Sequence, residues 1–212
     1  MNDSITLSRA ERQKIQLQNE IIHAAFLEFS ERGYHQTAIS DIAKRLGIGH
    51  GTFYRHFENK RDILEKVIVD TMFKINQLLS GENAPQAVNN LQEYRLQCER
   101  IAEQFIEFAR ENPRTLKLIL LEATSIDTEM TRYIQNLLEV SGLMTANYLQ
   151  NGVQLGFLRE NLDVNSTGHA IIGMITNGAL LFLANPDDID ALRRYAQSII
   201  ELIVTGMANQ SA

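Results

Sequence analysis

The sequence predicts an all-α protein, and three observations carry that prediction. Only three prolines occur in 212 residues, and runs of β-branched residues are few. Apolar residues recur at i, i+3, i+4 and i+7 through most of the chain, the spacing of a helix with one buried face. The patterned stretches end at glycines or at proline, which punctuate helices. Hydrophobic residues at 44% and charged residues at 22% are ordinary globular values and argue against disorder.

The first helix is expected from Arg12 to Arg32. Leu17, Ile21, Ala25 and Phe29 follow one another at i+4, with Ile22 and Phe26 alongside, and Gly33 is placed as a left-handed cap. Arg9, Arg12 and Lys14 read either as a frayed, solvated end or as a basic arm. In "TAISDIAKRLG", Thr37 can cap a short helix and Asp41 lies near the positive end of its dipole. Ile39, Ile42, Ala43 and Leu46 give its apolar face, and Gly47 stops it. After "GIG", a second short helix is expected over residues 50–57, with Phe53 and Phe57 one turn apart on its inner face. His50, Gly51, Thr52, Tyr54, Arg55 and His56 are left mostly outside.

Two short helices joined by a tight glycine turn describe a helix-turn-helix, placed at residues 38–57. A helix that enters a major groove about 12 Å wide must be slim near the bases. It must be cationic or hydroxylated near the phosphates. Gly51 and Thr52 meet the first demand; Tyr54, Arg55, His56 and Lys60 meet the second. Charge is distributed to match. The chain carries a net charge of −6, yet residues 1–66 hold ten Lys/Arg against nine Asp/Glu, while residues 67–212 hold ten against seventeen. Between Thr37 and Arg61 the count is five against two.

The run "TAISDIAKRLGIGHGTFYRHFENKRDIL", preceded by "AAFLEFSERGY", closely resembles the DNA-binding domain of the TetR family of bacterial transcriptional regulators. Its "G-T-x-Y-x-H-F-x-x-K" core is specific, and the resemblance covers about residues 14–66. It implies a DNA-binding domain over residues 12–66 and a helical ligand-binding and dimerisation domain over 67–212. By position it implies that Thr37, Tyr54, His56 and Lys60 contact backbone phosphates, and that His50, Gly51, Thr52 and Arg55 lie near base edges. The family commonly has Ser or Thr where this chain has Gly49, so a capping or phosphate-binding hydroxyl is missing there.

Beyond residue 59 the pattern gives a long helix to Leu79, a break at "SGENAP", and helices over residues 86–111 and 127–155, with Pro113 starting another between them. Helices over 165–184 and 187–208 complete the chain. The tract "AIIGMITNGALLFLA" falls short of the ~20 residues of a membrane span and reads as a buried helix. The resemblance implies that the last two helices pair with those of a second copy, with Gly173 and Gly178 allowing close approach. It also implies an effector cavity among the middle helices. Candidate lining residues are Phe105, Phe108, Leu120, Met144, Tyr148, Met174 and Asn177, with Leu116, Glu122, His169 and Thr176 nearby.

The implied function is a ligand-responsive repressor that binds a palindromic operator as a homodimer. A second domain that takes a protein partner, in a nucleoid or division role, is the alternative. No nucleophile elbow, phosphate loop, dinucleotide fingerprint or paired metal-ligand motif is present, so neither catalysis, a cofactor nor a metal is expected. The N-terminus has no apolar core of a secretory signal. The single cysteine, Cys98, fits a reducing compartment. Both point to the cytoplasm, with no membrane partner.

Overall fold

The structure, a computed structural model, describes residues 8–209. The sequence readings of residues 1–7 and of 210–212 lie outside the described residues. The chain divides into two compact units, the first ending at Met72 and the second beginning at Phe73.

In the first unit, α1 (Arg9–Arg32) starts three residues earlier than its apolar pattern. The reason is a reciprocal cap. Ser8 Oγ accepts the Glu11 N–H at 3.2 Å, while Glu11 Oε2 accepts the Ser8 N–H at 2.8 Å. Arg9, Arg12 and Lys14 are therefore exposed helical residues, neither a frayed end nor an extended arm. Gly33 ends α1 at φ 86°, ψ 153°, a backbone open to glycine but outside the left-handed helical region expected of it. In α2 (Ile39–Leu46) the N-cap is Ala38, not Thr37. Asp41 accepts the Ala38 N–H at 2.9 Å, and that bond, helped by Arg32, holds its carboxyl below the usual range. Gly47, at φ 67°, closes α2 in a left-handed turn, with the Ile48 N–H reaching back to the Ala43 carbonyl at 3.0 Å.

The helix α3 (His50–Tyr54) is only five residues long, and 55–57 form a turn instead of its last residues. Asn59 opens α4 (Lys60–Leu78) by accepting from the N–H groups of Arg61 and Asp62 at 2.9 and 3.0 Å. The core of this unit is Ile21, Ala25 and Phe29 of α1, Ile42 and Ala43 of α2, Phe53, Phe57, and Ile63, Leu64 and Ile68 of α4.

The second unit holds α5 (Leu91–Glu111), α6 (Pro113–Lys117), α7 (Thr128–Gln154), α8 (Val164–Ala184) and α9 (Ile189–Met207). Helix α5 begins five residues later than its pattern because Asn90 caps it, accepting the Glu93 N–H at 2.9 Å. Asp127, Asp163 and Asp188 cap α7, α8 and α9 in the same way. After α6 the chain widens into a five-residue π turn at Leu118–Glu122 and tightens into a 3₁₀ turn at Ala123–Ser125. Tyr94, Leu149, Phe157, Leu158, Ile171, Ile199 and Ile203 form the core.

Helices α7 and α8 cross closely. A Cβ built on Gly168 would stand 2.4 Å from the Gly142 carbonyl oxygen and 2.9 Å from the Ala146 nitrogen, so only glycine permits the approach. The apolar tract of 170–184 lies inside α8, a helix of 21 residues whose most apolar stretch has a mean hydropathy of 1.4, long and apolar enough by composition to cross a membrane. It is not the buried helix the sequence suggests, because only 22% of its most apolar stretch is buried. Within the chain, Gly178 receives the Tyr195 ring of α9, whereas Gly173 faces open space.

Gly168→Ala should cost ~1–3 kcal/mol by forcing two backbones apart, read as a fall in Tm of several degrees in a thermal melt. Cys98, packed beside Tyr94, has its thiol pushed up to about 11 by burial. It should label slowly with maleimide at pH 8 in the native protein and fast after denaturation.

Candidate nucleic-acid interface

All eight residues assigned to DNA by the sequence fall in the first unit, on α3 and its immediate neighbours. Phe53 is fully buried and Phe57 nearly so, their ring centroids 6.1 Å apart. That burial turns the opposite side of α3 outward. His50, Gly51, Tyr54 and Arg55 are exposed and Thr52 is half-buried. Nothing lies within 4 Å of a Cβ built on Gly51, so the helix is slim at that point. Tyr54 is 55% exposed, its ring edge-on to Phe53. Gly49 is the N-cap of α3 and has no side chain to close it; its carbonyl takes the Thr52 N–H at 2.9 Å.

Three residues sit differently from the sequence expectation. Thr37 is 2% exposed, and its hydroxyl donates to the Gly33 carbonyl at 2.9 Å and the Glu28 carbonyl at 3.2 Å. Its hydroxyl thus fastens the α1–α2 turn and does not face outward. The Lys60 ammonium also points inward. It donates to the carbonyls of Tyr34 and Thr37 and lies 4.2 Å from the centroid of the Tyr34 ring. Burial holds its pKa below the ordinary lysine value. His56 is half-buried, and its Nδ1 lies inside without a hydrogen-bond partner, which leaves Nε2 as the polar atom for an external contact.

The cationic excess of this stretch is partly spent within the unit. Arg45 donates to the nearly buried Glu28 at 2.6 Å and also to Glu31, and Arg61 pairs with Glu65 at 3.1 Å. Arg32 bridges Glu28 and Asp41 at 3.7 and 3.3 Å. Glu28 and Tyr34 were therefore missed by sequence reading, although both shape the site. A carboxylate on the inner side of an amphipathic helix, seventeen residues before an arginine, carries no local signal of pairing.

Residues 21–67 match the family model of bacterial regulatory proteins of the tetR family. The chain carries the DNA-binding domain of the TetR family over those residues. It is a DNA-binding transcriptional regulator. Along most of its length this chain is 28% identical to the fatty acid metabolism regulator protein of Bacillus subtilis, over 203 residues that cover 94% of this chain and all of that one. A crystal structure of the transcriptional regulator FadR from Bacillus subtilis in complex with stearoyl-CoA superposes with a TM-score of 0.74 at 26% identity, covering 89% of this chain and 98% of that one. Over 61 residues, 29% of this chain and 30% of the relative, identity reaches 43% with a regulator of Staphylococcus aureus.

The residues assigned to an effector are scattered over the second unit of the chain. Phe105, Phe108 and Leu120 are half-buried, Met174 packs against the core, and Met144 is 37% exposed. The Tyr148 hydroxyl donates to the carbonyls of Leu79 and Asn83, at 3.1 and 2.8 Å, and the Asn177 amide donates to Tyr195. An open groove of about 360 Å³ between α7 and α8 is lined by Val140, Leu143, Asn147 and Gln150, and of the seven candidates only Met144 borders it. Among the described residues no cluster of three or more His, Cys, Asp or Glu could hold a metal ion.

Lys60→Met should lower stability by ~1–2 kcal/mol, because two carbonyls lose a charged donor while the aliphatic stem is kept. Tyr54→Phe, by contrast, should leave the melting temperature unchanged and weaken binding to every duplex alike. Thermal melts and duplex titrations on both variants separate the two roles.

Proposed function

We propose that the protein is a cytoplasmic homodimeric repressor that reads a two-fold symmetric operator and leaves it when an acyl thioester of coenzyme A binds the second unit. The outward face of α3 supports the reading of DNA. His50, Gly51, Thr52 and Arg55 would lie over base edges, and Tyr54 and the Nε2 of His56 would meet phosphates. A five-residue helix reads few bases, and a second copy of the site on the same face of the duplex, ~34–36 Å away, is the usual remedy.

The single observation that carries the dimer is α8. It is an apolar helix of which only Gly168, Ile171, Gly178 and Phe182 are buried, with Ile175, Leu180 and Leu181 exposed, and Leu202 of α9 is 66% exposed. Such a face in one protomer favours burial against its copy. The acyl-CoA class rests on likeness to the FadR complex and the fatty acid metabolism regulator. Half-buried Phe105, Phe108 and Leu116 on α5 and α6 supply apolar groups of the kind an acyl chain would pack against. Release would need the effector to prefer the conformation that cannot span two grooves, by ~1–3 kcal/mol. No catalytic role is assigned to any residue. The open groove with exposed Val140 and Leu143 is the one observation that favours a protein partner for the second unit instead.

Stearoyl-CoA added to the protein on a tight-binding duplex should lower fluorescence anisotropy in a saturable way, with free coenzyme A inert. Retention of the duplex at saturating stearoyl-CoA would exclude this effector class. Leu202→Glu should convert the dimer to a monomer in sedimentation velocity and weaken binding to a full operator by at least ~100-fold, while a half-site loses little.

A further inference from the structure

Arg55 stands at the C-terminal end of α3, exposed, yet its guanidinium is not free to swing. Its Nε donates to the Gly51 carbonyl at 3.3 Å, and its Nη2 donates to the Thr52 hydroxyl oxygen at 2.9 Å. These two donors lie on one edge of the planar group. The bonds therefore turn that edge toward the helix. The other edge, made of Nη1 and the second Nη2 hydrogen, has no partner among the described residues and keeps two parallel N–H groups. In the major groove only guanine offers two adjacent acceptors, O6 and N7, to such a fork; adenine offers an acceptor beside a donor, and cytosine and thymine do not offer the pair.

Resting on the DNA-binding reading, we infer that Arg55 reads a guanine and that Thr52 is the positioning residue that holds its guanidinium in the reading pose. An arginine stem has several rotatable bonds, and an untethered one reaches phosphates as readily as bases. Thr52 supplies the tether without filling the groove. Its hydroxyl oxygen accepts from Arg55 one turn later on the helix, and its short branched side chain leaves the slim point at Gly51 clear. Specificity at this position is thus a property of the pair.

The test uses the full-length protein. Wild type, Thr52→Val, Thr52→Ser, Arg55→Ala and the Thr52→Val/Arg55→Ala double variant are titrated by fluorescence anisotropy. The DNA is the best duplex recovered from a random pool, together with versions in which each G·C pair is changed to A·T. Thermal melts confirm that each variant folds. The expected result is one G·C pair per half-site whose replacement costs the wild type on the order of tenfold and costs Arg55→Ala nothing. Thr52→Val should lose most of that discrimination, Thr52→Ser should keep it, and the double variant should bind no worse than Arg55→Ala alone. Multiplying losses in the double variant would overturn the inference. So would a loss from Arg55→Ala that is equal on every duplex and comes with a shallower salt dependence, which would make Arg55 a phosphate contact. A pool from which the wild type enriches no duplex would remove the DNA-reading function itself together with the inference.

Discussion

The first unit depends on one constraint. A helix of five residues has no stability of its own, because nucleation costs more than so few hydrogen bonds return. The position of α3 is therefore set by the burial of Phe53 and Phe57, each contributing on the order of 2–3 kcal/mol when fully removed from water. Because both rings point inward one turn apart, the residues between and around them must point outward. The outward face of α3 is a geometric consequence of its anchors. The socket for those rings is in turn fixed by polar fastenings: Thr37 to two carbonyls, Lys60 to two more, and Arg45 to Glu28. Thr37 and Lys60, which the motif assigns to DNA, are here spent on holding the outward face of α3.

The long helix α4 is held at each end by groups of a different unit. Its start is fixed by Asn59 and by the Lys60 ammonium in the first unit. Its end lies in the second unit, where the Asn83 amide donates to the Leu78 carbonyl at 2.8 Å and the Tyr148 hydroxyl to that of Leu79 at 3.1 Å. Gln104 meets the same Asn83 amide, and Gln97, fully buried, donates to the Ala84 carbonyl at 2.8 Å. The segment after α4 is thus tied by α5 and α7, the helices that carry Phe105, Phe108 and Tyr148.

The fold was legible where local signals suffice. Periodicity gave the helices of the first unit, and Gly33 and Gly47 gave their ends. Boundaries failed where a side-chain cap decided them: Ser8 with Glu11 drew α1 forward, and Asn90 delayed α5. The π turn at Leu118–Glu122 left no trace, because "LKLILLE" is an uninterrupted helical pattern and a widened register changes no residue type. The outward residues of α3 were readable from the spacing of its two phenylalanines. The inward turn of Lys60 and Thr37 was not, since a lysine near a phosphate site and a lysine gripping two carbonyls look the same in one dimension. For α8, apolar composition signals removal from water but cannot say whether the cover is the chain itself or another copy.

Under the proposed function, two copies of this α3 face read DNA at two symmetric points. The most direct measurement is to sequence the duplexes that the wild-type protein retains from a random pool at near-physiological salt. The account predicts an inverted repeat whose half-site centres lie about one helical turn, or a multiple of it, apart. Retained duplexes with no common sequence, or with a single unrepeated half-site, would contradict it.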